Sequence, residues 1–404
     1  MTRPDLLARL DAARGEREQA GLLRRARVCD VLPDGRRRVG DRVLVDFCGN
    51  DYLGLAAHPD VVSALIRAAS TEGVGSGAAH LVSGHRGAHA ALEEELADWT
   101  GRERALLFST GVMANLGALQ ALLGAGASPA RHKALCVQDR LNHASLIDGA
   151  MLAGAELRRY PHADAAGAAR QLDARPDLPA LVATDGVFSM DGDVAPLRDI
   201  AAVCRHRGAM LYVDDAHGLG VRGPGGAGSV AAAGLGTRDV PILMGTLGKA
   251  VGCAGAFLAG DARWIEGIVQ FARTHVYTTA MPAALAAATQ TAVRLVRTDP
   301  EGRRERLAAN IARFRVGAAQ LGLPLTTSAT AIQPLPMSSP VTAVAAARAL
   351  EAAGFLVVAI RPPTVPPQGS RLRITLSAAH TAAHIDALLD ALARLPRPAE
   401  GAVV

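Results

Sequence analysis

Aromatic side chains are scarce: 2 Trp, 4 Tyr and 7 Phe make up 3% of 404 residues, so the core must be filled by Ala, Val and Leu. Lysine is scarcer still. Only Lys133 and Lys249 occur among 43 lysines and arginines, which leaves two candidates for any chemistry that needs a primary amine. The five cysteines are odd in number and form no C-x-x-C pair, which argues against a disulfide framework and for a reducing compartment. No stretch of about 18 uncharged apolar residues is present, so no membrane helix is expected. The opening residues MTRPDLLARLDAARGERE carry charges where a signal peptide has its apolar run, and the expected location is the cytoplasm. Disorder is excluded by a chain that is 50% hydrophobic and 20% charged. The net charge of +5 comes from arginines interleaved with 38 acids, which speaks against a nucleic-acid partner. The densest basic group, Arg24, Arg25 and Arg27 with Arg36, Arg37 and Arg38, reads as a solvated face.

Residues 4–26 read as an amphipathic arm helix, followed by a turn at Pro33-Asp34-Gly35 and an extended stretch over 42–47. Beyond His58, short apolar runs alternate with helical segments. The runs 105–108, 134–137, 180–184, 209–213, 241–244 and 254–258 are uninterrupted, as strands buried on both faces are, and predict a mostly parallel sheet in an α/β domain. Near Asp299-Pro300 the rhythm changes. A helix over 301–321, strands over 331–335, 355–360 and 371–376, and helices over 341–353 and 381–395 predict a smaller α/β domain. The expected division is an arm at 1–57, a large domain at 58–298 and a small C-terminal domain at 299–404.

One G-x-G-x-x-G match, Gly218, Gly220 and Gly223, follows a predicted strand. Pro224-Gly225-Gly226 then breaks the helix that a dinucleotide site requires, so this match reads as a decoy. His85 and His89 stand four apart without a third ligand at recognisable spacing; they read as surface histidines, and no metal is expected. Lys249 has a stronger context. It follows Gly245-Thr246-Leu247-Gly248 at the end of a predicted strand, where open α/β sheets bind ligands. Tyr212-Val213-Asp214-Asp215-Ala216-His217 places an acid at another strand end with a histidine three residues on. An aldehyde cofactor with a pyridine ring needs this set: an amine for the covalent imine, a carboxylate for the ring nitrogen and donors around its phenolic oxygen.

Five segments, taken in order, carry a family resemblance: Asn50-Asp51-Tyr52-Leu53-Gly54-Leu55, Thr184-Asp185-Gly186-Val187-Phe188-Ser189-Met190-Asp191-Gly192-Asp193, Val213-Asp214-Asp215-Ala216-His217-Gly218, Gly245-Thr246-Leu247-Gly248-Lys249 and Ile360-Arg361-Pro362-Pro363-Thr364-Val365-Pro366. Over almost its whole length the chain resembles the α-oxoamine synthases, fold-type I enzymes of pyridoxal 5'-phosphate. That resemblance implies a large domain with a mostly parallel central sheet, a smaller C-terminal α/β domain, and a homodimer with its active site at the subunit interface. It implies that Lys249 forms the imine and moves protons at the substrate α-carbon, that Asp214 pairs with the pyridinium nitrogen, and that His217 and Ser189 bond around the phenolic oxygen. His143 is expected to stack on one ring face and Ala216 to pack on the other. The phosphate is expected at Thr246 and at the amides of Gly111 and Val112, where a helix over 112–122 begins and offers free N–H groups. Thr278 or Thr279 occupies the stretch that supplies a hydroxyl to the neighbouring subunit's phosphate.

For substrates, the resemblance assigns Arg373 to the amino-acid carboxylate and places Asn50, Arg24 and Thr364 around the rest of the site; a guanidinium fork suits a carboxylate. Arg371 and Arg373 also have a plain reading as ordinary strand residues. The implied reaction is a decarboxylative condensation of an amino acid with an acyl thioester. Gly75-Ser76-Gly77, Leu81-Val82-Ser83-Gly84-His85, Ala331-Ile332-Gln333-Pro334-Leu335 and the proline loop after Arg361 favour the branch that joins L-alanine to a pimeloyl thioester in biotin synthesis. Asp185 and the segments around His143 and Lys249 lean toward the branch that joins glycine to acetyl-CoA. A non-catalytic cofactor-binding module is the remote alternative. The arginine cluster at 24–38 is a candidate contact for an acidic acyl carrier protein.

Overall fold

The structure, a computed structural model, describes residue 3, residues 5–125 and residues 134–395; Lys133 lies outside the described residues. Helix α1 (Leu6–Gln19) begins where the Asp5 carboxylate accepts a hydrogen bond from the Leu7 amide at 2.9 Å. It ends well short of residue 26, because Gly21 takes φ +67° and turns the chain out of the helix. No side chain of α1 is buried, so the face expected to pack finds no partner among the described residues. Strands β1 (Asp30–Leu32), β2 (Arg36–Val39) and β3 (Arg42–Asp46) follow as an antiparallel meander. The turn between β1 and β2 puts Asp34 and Gly35 at φ +57° and +66°, the left-handed pair that a two-residue hairpin loop demands.

The central sheet has seven strands: β4 (Arg104–Phe108), β5 (Leu135–Asp139), β6 (Glu156–Tyr160), β7 (Ala180–Asp185), β8 (Met210–Asp214), β9 (Ile242–Thr246) and β10 (Ala256–Gly260), in the order β4-β10-β9-β8-β7-β5-β6. All neighbours pair in parallel except β10, which is antiparallel to both β4 and β9. Strand β4 therefore points the same way as β9. Successive residues of each strand feed two apolar layers: Leu211 and Val213 pack on one side with Val182 and Leu243, while Tyr212 packs on the other with Ile242 and Met244. Burial on both sides is why these strands read as continuous apolar runs.

Four strands complete the fold: β11 (Ile332–Pro336), β12 (Phe355–Leu356), β13 (Val358–Ile360) and β14 (Arg371–Thr375). The single strand expected over 355–360 is in fact two. Its first half, β12, pairs in parallel with β3, and its second half, β13, pairs with β14 in the sheet β11-β14-β13. One apolar run thus serves two sheets. The arm at 1–57 is stitched by β12 to the C-terminal part of the chain.

Candidate active site

The carboxyl ends of β4, β7, β8 and β9 open onto one cavity of about 210 Å³. After β4, Thr110 caps helix α2 (Gly111–Gly124), its hydroxyl accepting from the Met113 amide at 3.1 Å. That cap serves Met113 and leaves the amides of Gly111 and Val112, at the start of the first turn, without an intrahelical acceptor; both residues line the cavity. A Cβ at Gly111 would stand 2.9 Å from the Thr246 side chain, so glycine keeps that edge open. After β5, His143 caps helix α3 (Ala144–Leu152). Asp185, Asp214 and Thr246 end β7, β8 and β9, and Ser189, Ala216, His217 and Lys249 come from the turns beyond. Of the residues expected around a cofactor, all but Thr278 and Thr279 line this cavity. Those two follow the exposed Tyr277, on a segment bridged to Ala79.

Asp214 is buried and held by two donors, the Asn115 side-chain amide at 2.8 Å and the Ala216 backbone amide at 3.0 Å. Asn115 in turn accepts from Tyr212 Oη at 2.7 Å and donates to Ser145 Oγ at 2.8 Å. Ser145 Oγ lies 2.7 Å from His143 Nδ1. That nitrogen also accepts the Ser145 backbone amide at 3.3 Å, so a neutral His143 carries its proton on Nε2. Asp185 is pushed well above the usual carboxylate range by burial and then by the neighbouring Asp214, which favours its protonated form.

The amine of Lys249 has no hydrogen-bond partner among the described residues, and burial lowers it from the ordinary lysine value, against the pull of Asp214 and Asp185. His217 is buried, and burial followed by Lys249 and Arg373 holds it well below the usual histidine range, hence neutral. Tyr52 Oη lies 2.6 Å from His217 Nδ1. Burial raises the Tyr52 phenol to about 12, so it stays protonated, and its one proton has two acceptors in reach, His217 Nδ1 and, farther off, Asn50 Oδ1 at 3.4 Å.

Arg373 is buried at the edge of this group. Its Nε donates to Ser189 O at 2.7 Å, and its Nη2 donates to Asn50 Oδ1 at 3.3 Å, so these three expected residues do converge. Arg371, two positions away on the same face of β14, is occupied by Asp191 and by the Met190 carbonyl at 3.2 Å. Arg24 and Thr364 line a separate cleft of about 830 Å³, which meets the cavity at His143 and Ser189.

Two sequence expectations change, and a third gains a physical reason. The G-x-G-x-x-G match, read as a decoy, has in Gly218 a glycine that makes room for the buried carboxylate of Asp215: a Cβ there would fall 2.1 Å from its Oδ1, and one at Gly228, beyond the motif, 2.1 Å from its Oδ2. Burial raises Asp215 to about 7. Of the two histidines read as surface residues, only His85 is exposed, while His89 is fully buried. His80 brings a third ring, with nitrogens of all three within 4.8 Å. Both nitrogens of His89 are already committed, Nδ1 to the Arg86 amide at 2.9 Å and Nε2 to the Met281 carbonyl at 2.7 Å, so the trio is a hydrogen-bonded packing unit. Half of the arginine cluster is also paired internally: Arg27 with Glu351, Arg36 with Asp34 and Arg37 with Asp46.

Asn115, Tyr212, Ser145 and Tyr52 take part in the site without having been singled out from the sequence. A buried amide in the apolar helix α2 was the one available signal for Asn115.

The aminotransferase class I and II family matches residues 42–392. The chain is 54% identical to the 8-amino-7-oxononanoate synthase of Thioalkalivibrio sulfidiphilus over 386 residues, which covers 95% of this chain and 96% of that one. It is 55% identical to the 8-amino-7-oxononanoate synthase of Methylococcus capsulatus over 367 residues, covering 91% and 93%. The chain belongs to the 8-amino-7-oxononanoate synthase family. A solved 8-amino-7-oxononanoate synthase from Francisella tularensis superposes with a TM-score of 0.73 at 27% identity, covering 87% of this chain and 97% of that one. The serine palmitoyltransferase of Sphingomonas wittichii superposes with a TM-score of 0.90 at 32% identity, covering 96% and 98%. The serine palmitoyltransferase of S. paucimobilis, at a TM-score of 0.90 and 30% identity over 96% and 98%, was solved with a pyridoxal-phosphate adduct. The overall shape is thus common to synthases of different substrates, and it is sequence identity that sets the 8-amino-7-oxononanoate synthase family apart.

Proposed function

We propose that the chain uses pyridoxal 5'-phosphate to condense L-alanine with a pimeloyl thioester, giving 8-amino-7-oxononanoate, carbon dioxide and free thiol. The observation that carries this reading is the unpartnered amine of Lys249 in one cavity with Asp214 and the open first turn of α2. The donor set fits the cofactor: a primary amine for its aldehyde, a carboxylate for its ring nitrogen, and helix amides with Thr246 for its phosphate. Ala216 and the His143 imidazole supply flat contacts for the ring. When bound, the cofactor supplies an electron sink for the pair left on the amino-acid α-carbon.

The remaining work falls to side chains. Arg373, steadied by Asn50, receives the alanine carboxylate. Lys249, with its amine shifted toward the neutral form, takes the proton from the α-carbon and later returns one. With Nδ1 turned to Tyr52 Oη, His217 would bond the phenolic oxygen through Nε2, and Asp214 would keep the ring nitrogen protonated. Loss of carbon dioxide from the resulting β-keto acid needs little help, so orientation is the chain's main task.

The dimer belongs to the same reading. Val74, Val82 and Tyr277 are 90%, 80% and 72% exposed, on two segments joined by the Ala280 to Ala78 backbone bond. A second copy covering them would bring Thr278 or Thr279 to its neighbour's phosphate. No described helix is long and apolar enough to cross a membrane, and a cytoplasmic location agrees with that. For an acyl carrier protein, Arg24, Arg25 and Arg38 are the members of the cluster left without an acidic partner among the described residues.

The test is turnover of L-alanine with pimeloyl-CoA, followed by product mass and released carbon dioxide, beside glycine with acetyl-CoA and serine with palmitoyl-CoA. Lys249→Ala should lose the borohydride-sensitive visible band of lysine-bound cofactor, and turnover should fall by about a thousandfold or more. Turnover with glycine and acetyl-CoA alone would refute the substrate assignment.

A further inference from the structure

The cleft beside the cavity holds charge that the chemistry above does not use. Because it shares His143 and Ser189 with the cavity, a molecule lying in it reaches the reacting centre. Its lining carries Arg24, Arg140, Arg159 and Arg371, against one acid, Asp191, which is already ion-paired with Arg371. Arg140 stands directly after β5, exposed, with no side-chain hydrogen bond or ion pair among the described residues. Arg159, on the neighbouring β6, rests its Nη2 on the carbonyls of Arg140 and Asp139. Its Nε is buried and has no hydrogen-bond partner. Sealed from solvent, that N–H does not reach the cleft, but Nη1 of the same guanidinium makes no hydrogen bond among the described residues and is left for a ligand. Burial lowers the Arg159 guanidinium, Asp139 raises it and Arg140 lowers it further, so the two cations oppose each other when nothing lies between them.

We propose that Arg140 and Arg159 form a seat for an oxyanion of the acyl thioester, holding the donor in the cleft while its thioester carbon enters the cavity. The proposal rests on the reading that an acyl thioester is the second substrate. Such a donor carries oxyanions of two kinds, the carboxylate at the far end of a dicarboxylic acyl chain and the phosphate groups beyond its pantetheine arm. A pair of guanidinium forks suits either one. The cleft's volume of about 830 Å³ is ample for an extended chain. Arg140 is the member to vary, since it is exposed and its loss leaves the fold's own hydrogen bonds intact.

The experiment compares holoenzyme and its Arg140→Ala variant on three donors: pimeloyl-CoA, heptanoyl-CoA without the terminal carboxylate, and pimeloyl-N-acetylcysteamine without the phosphate. For pimeloyl-CoA, KM should rise about tenfold while kcat changes by less than about twofold. The absorbance response to L-alanine should be unchanged. If the seat holds the carboxylate, the penalty vanishes on heptanoyl-CoA; if it holds the phosphate, it vanishes on the N-acetylcysteamine thioester. An equal penalty on all three donors, or none on pimeloyl-CoA, overturns the proposal. Titration of pimeloyl-CoA without amino acid separates this proposal from the functional reading. A weaker Kd for the variant, even with an enzyme that does not turn the donor over, leaves the seat standing and removes the assigned reaction. Equal Kd values for the two proteins remove the seat.

Discussion

Asp214 has two hydrogen-bond donors, and one of them, Asn115, hangs from a helix that is otherwise apolar where it meets the core. Replacing Asn115 with Leu keeps the volume but removes the bond to Asp214 Oδ2 and leaves Tyr212 Oη without its acceptor. The buried hydroxyl alone should cost about 1–3 kcal/mol of unfolding free energy. Asp214 would then be free to turn about its remaining bond. Asn115→Leu should therefore lower kcat by about tenfold to a hundredfold while the KM for L-alanine stays near its original value, as steady-state kinetics beside thermal denaturation would read. Asn115 is thus a positioning residue, and rescue by Asn115→Gln would separate that role from packing. Asp214 is legible in the sequence because it puts a charge where an apolar run stops, and Lys249 because it is one of two lysines and follows a strand by a glycine-flanked turn. The network behind them is not, because Asn115, Ser145 and Tyr212 come from three elements that tertiary packing alone brings together.

At the scale of elements, His162 ties the turn after β6 to two others. Its Nδ1 lies 3.0 Å from Asp139 Oδ1 and its Nε2 2.7 Å from Asp193 Oδ2. Burial on its own would lower the imidazole, but the two carboxylates outweigh it and lift the group from 6.5 to about 10. A raised folded-state value means that the stabilisation is fully present below about pH 6.5 and is lost as pH climbs through about 10. His162→Gln should therefore cost about 1.5–3 kcal/mol at pH 6, a penalty that shrinks steadily toward pH 10. Urea unfolding of both proteins across that range checks it, and a penalty independent of pH would show the ring to be neutral. Strand positions were largely legible because continuous apolar runs mark burial on both faces. The split of the run over 355–360 was not: β12 and β13 are both wholly apolar, and only the position of β3 decides which sheet each one joins.

For the whole molecule, the exposed Val82 and Tyr277 stand two residues from His80 and His275, whose rings stack at 5.0 Å, and Thr274 donates to the carbonyl of Met113, next to the cavity-lining Val112, itself 47% exposed. A second copy covering that apolar surface would also bring the threonine that the functional reading assigns to the neighbour's phosphate. Val82→Asp should shift the protein from dimer to monomer in light scattering. Affinity for pyridoxal phosphate should fall with it, since the partner's threonine is lost at the same time. A variant that stays dimeric with unchanged cofactor affinity would place the interface elsewhere.

The pairing of β3 with β12 has a consequence for the order of assembly. Arg27 and Glu351, 324 positions apart, close the same junction. During synthesis the meander β1–β3 leaves the ribosome first, yet it must keep an open strand edge until residues 355–356 arrive. The central sheet, whose strands lie between residues 104 and 260, can form in the interval. The arm that bears Arg24 is therefore fastened last, and a nascent chain halted before residue 355 would hold a nearly finished cavity with its entrance still unframed.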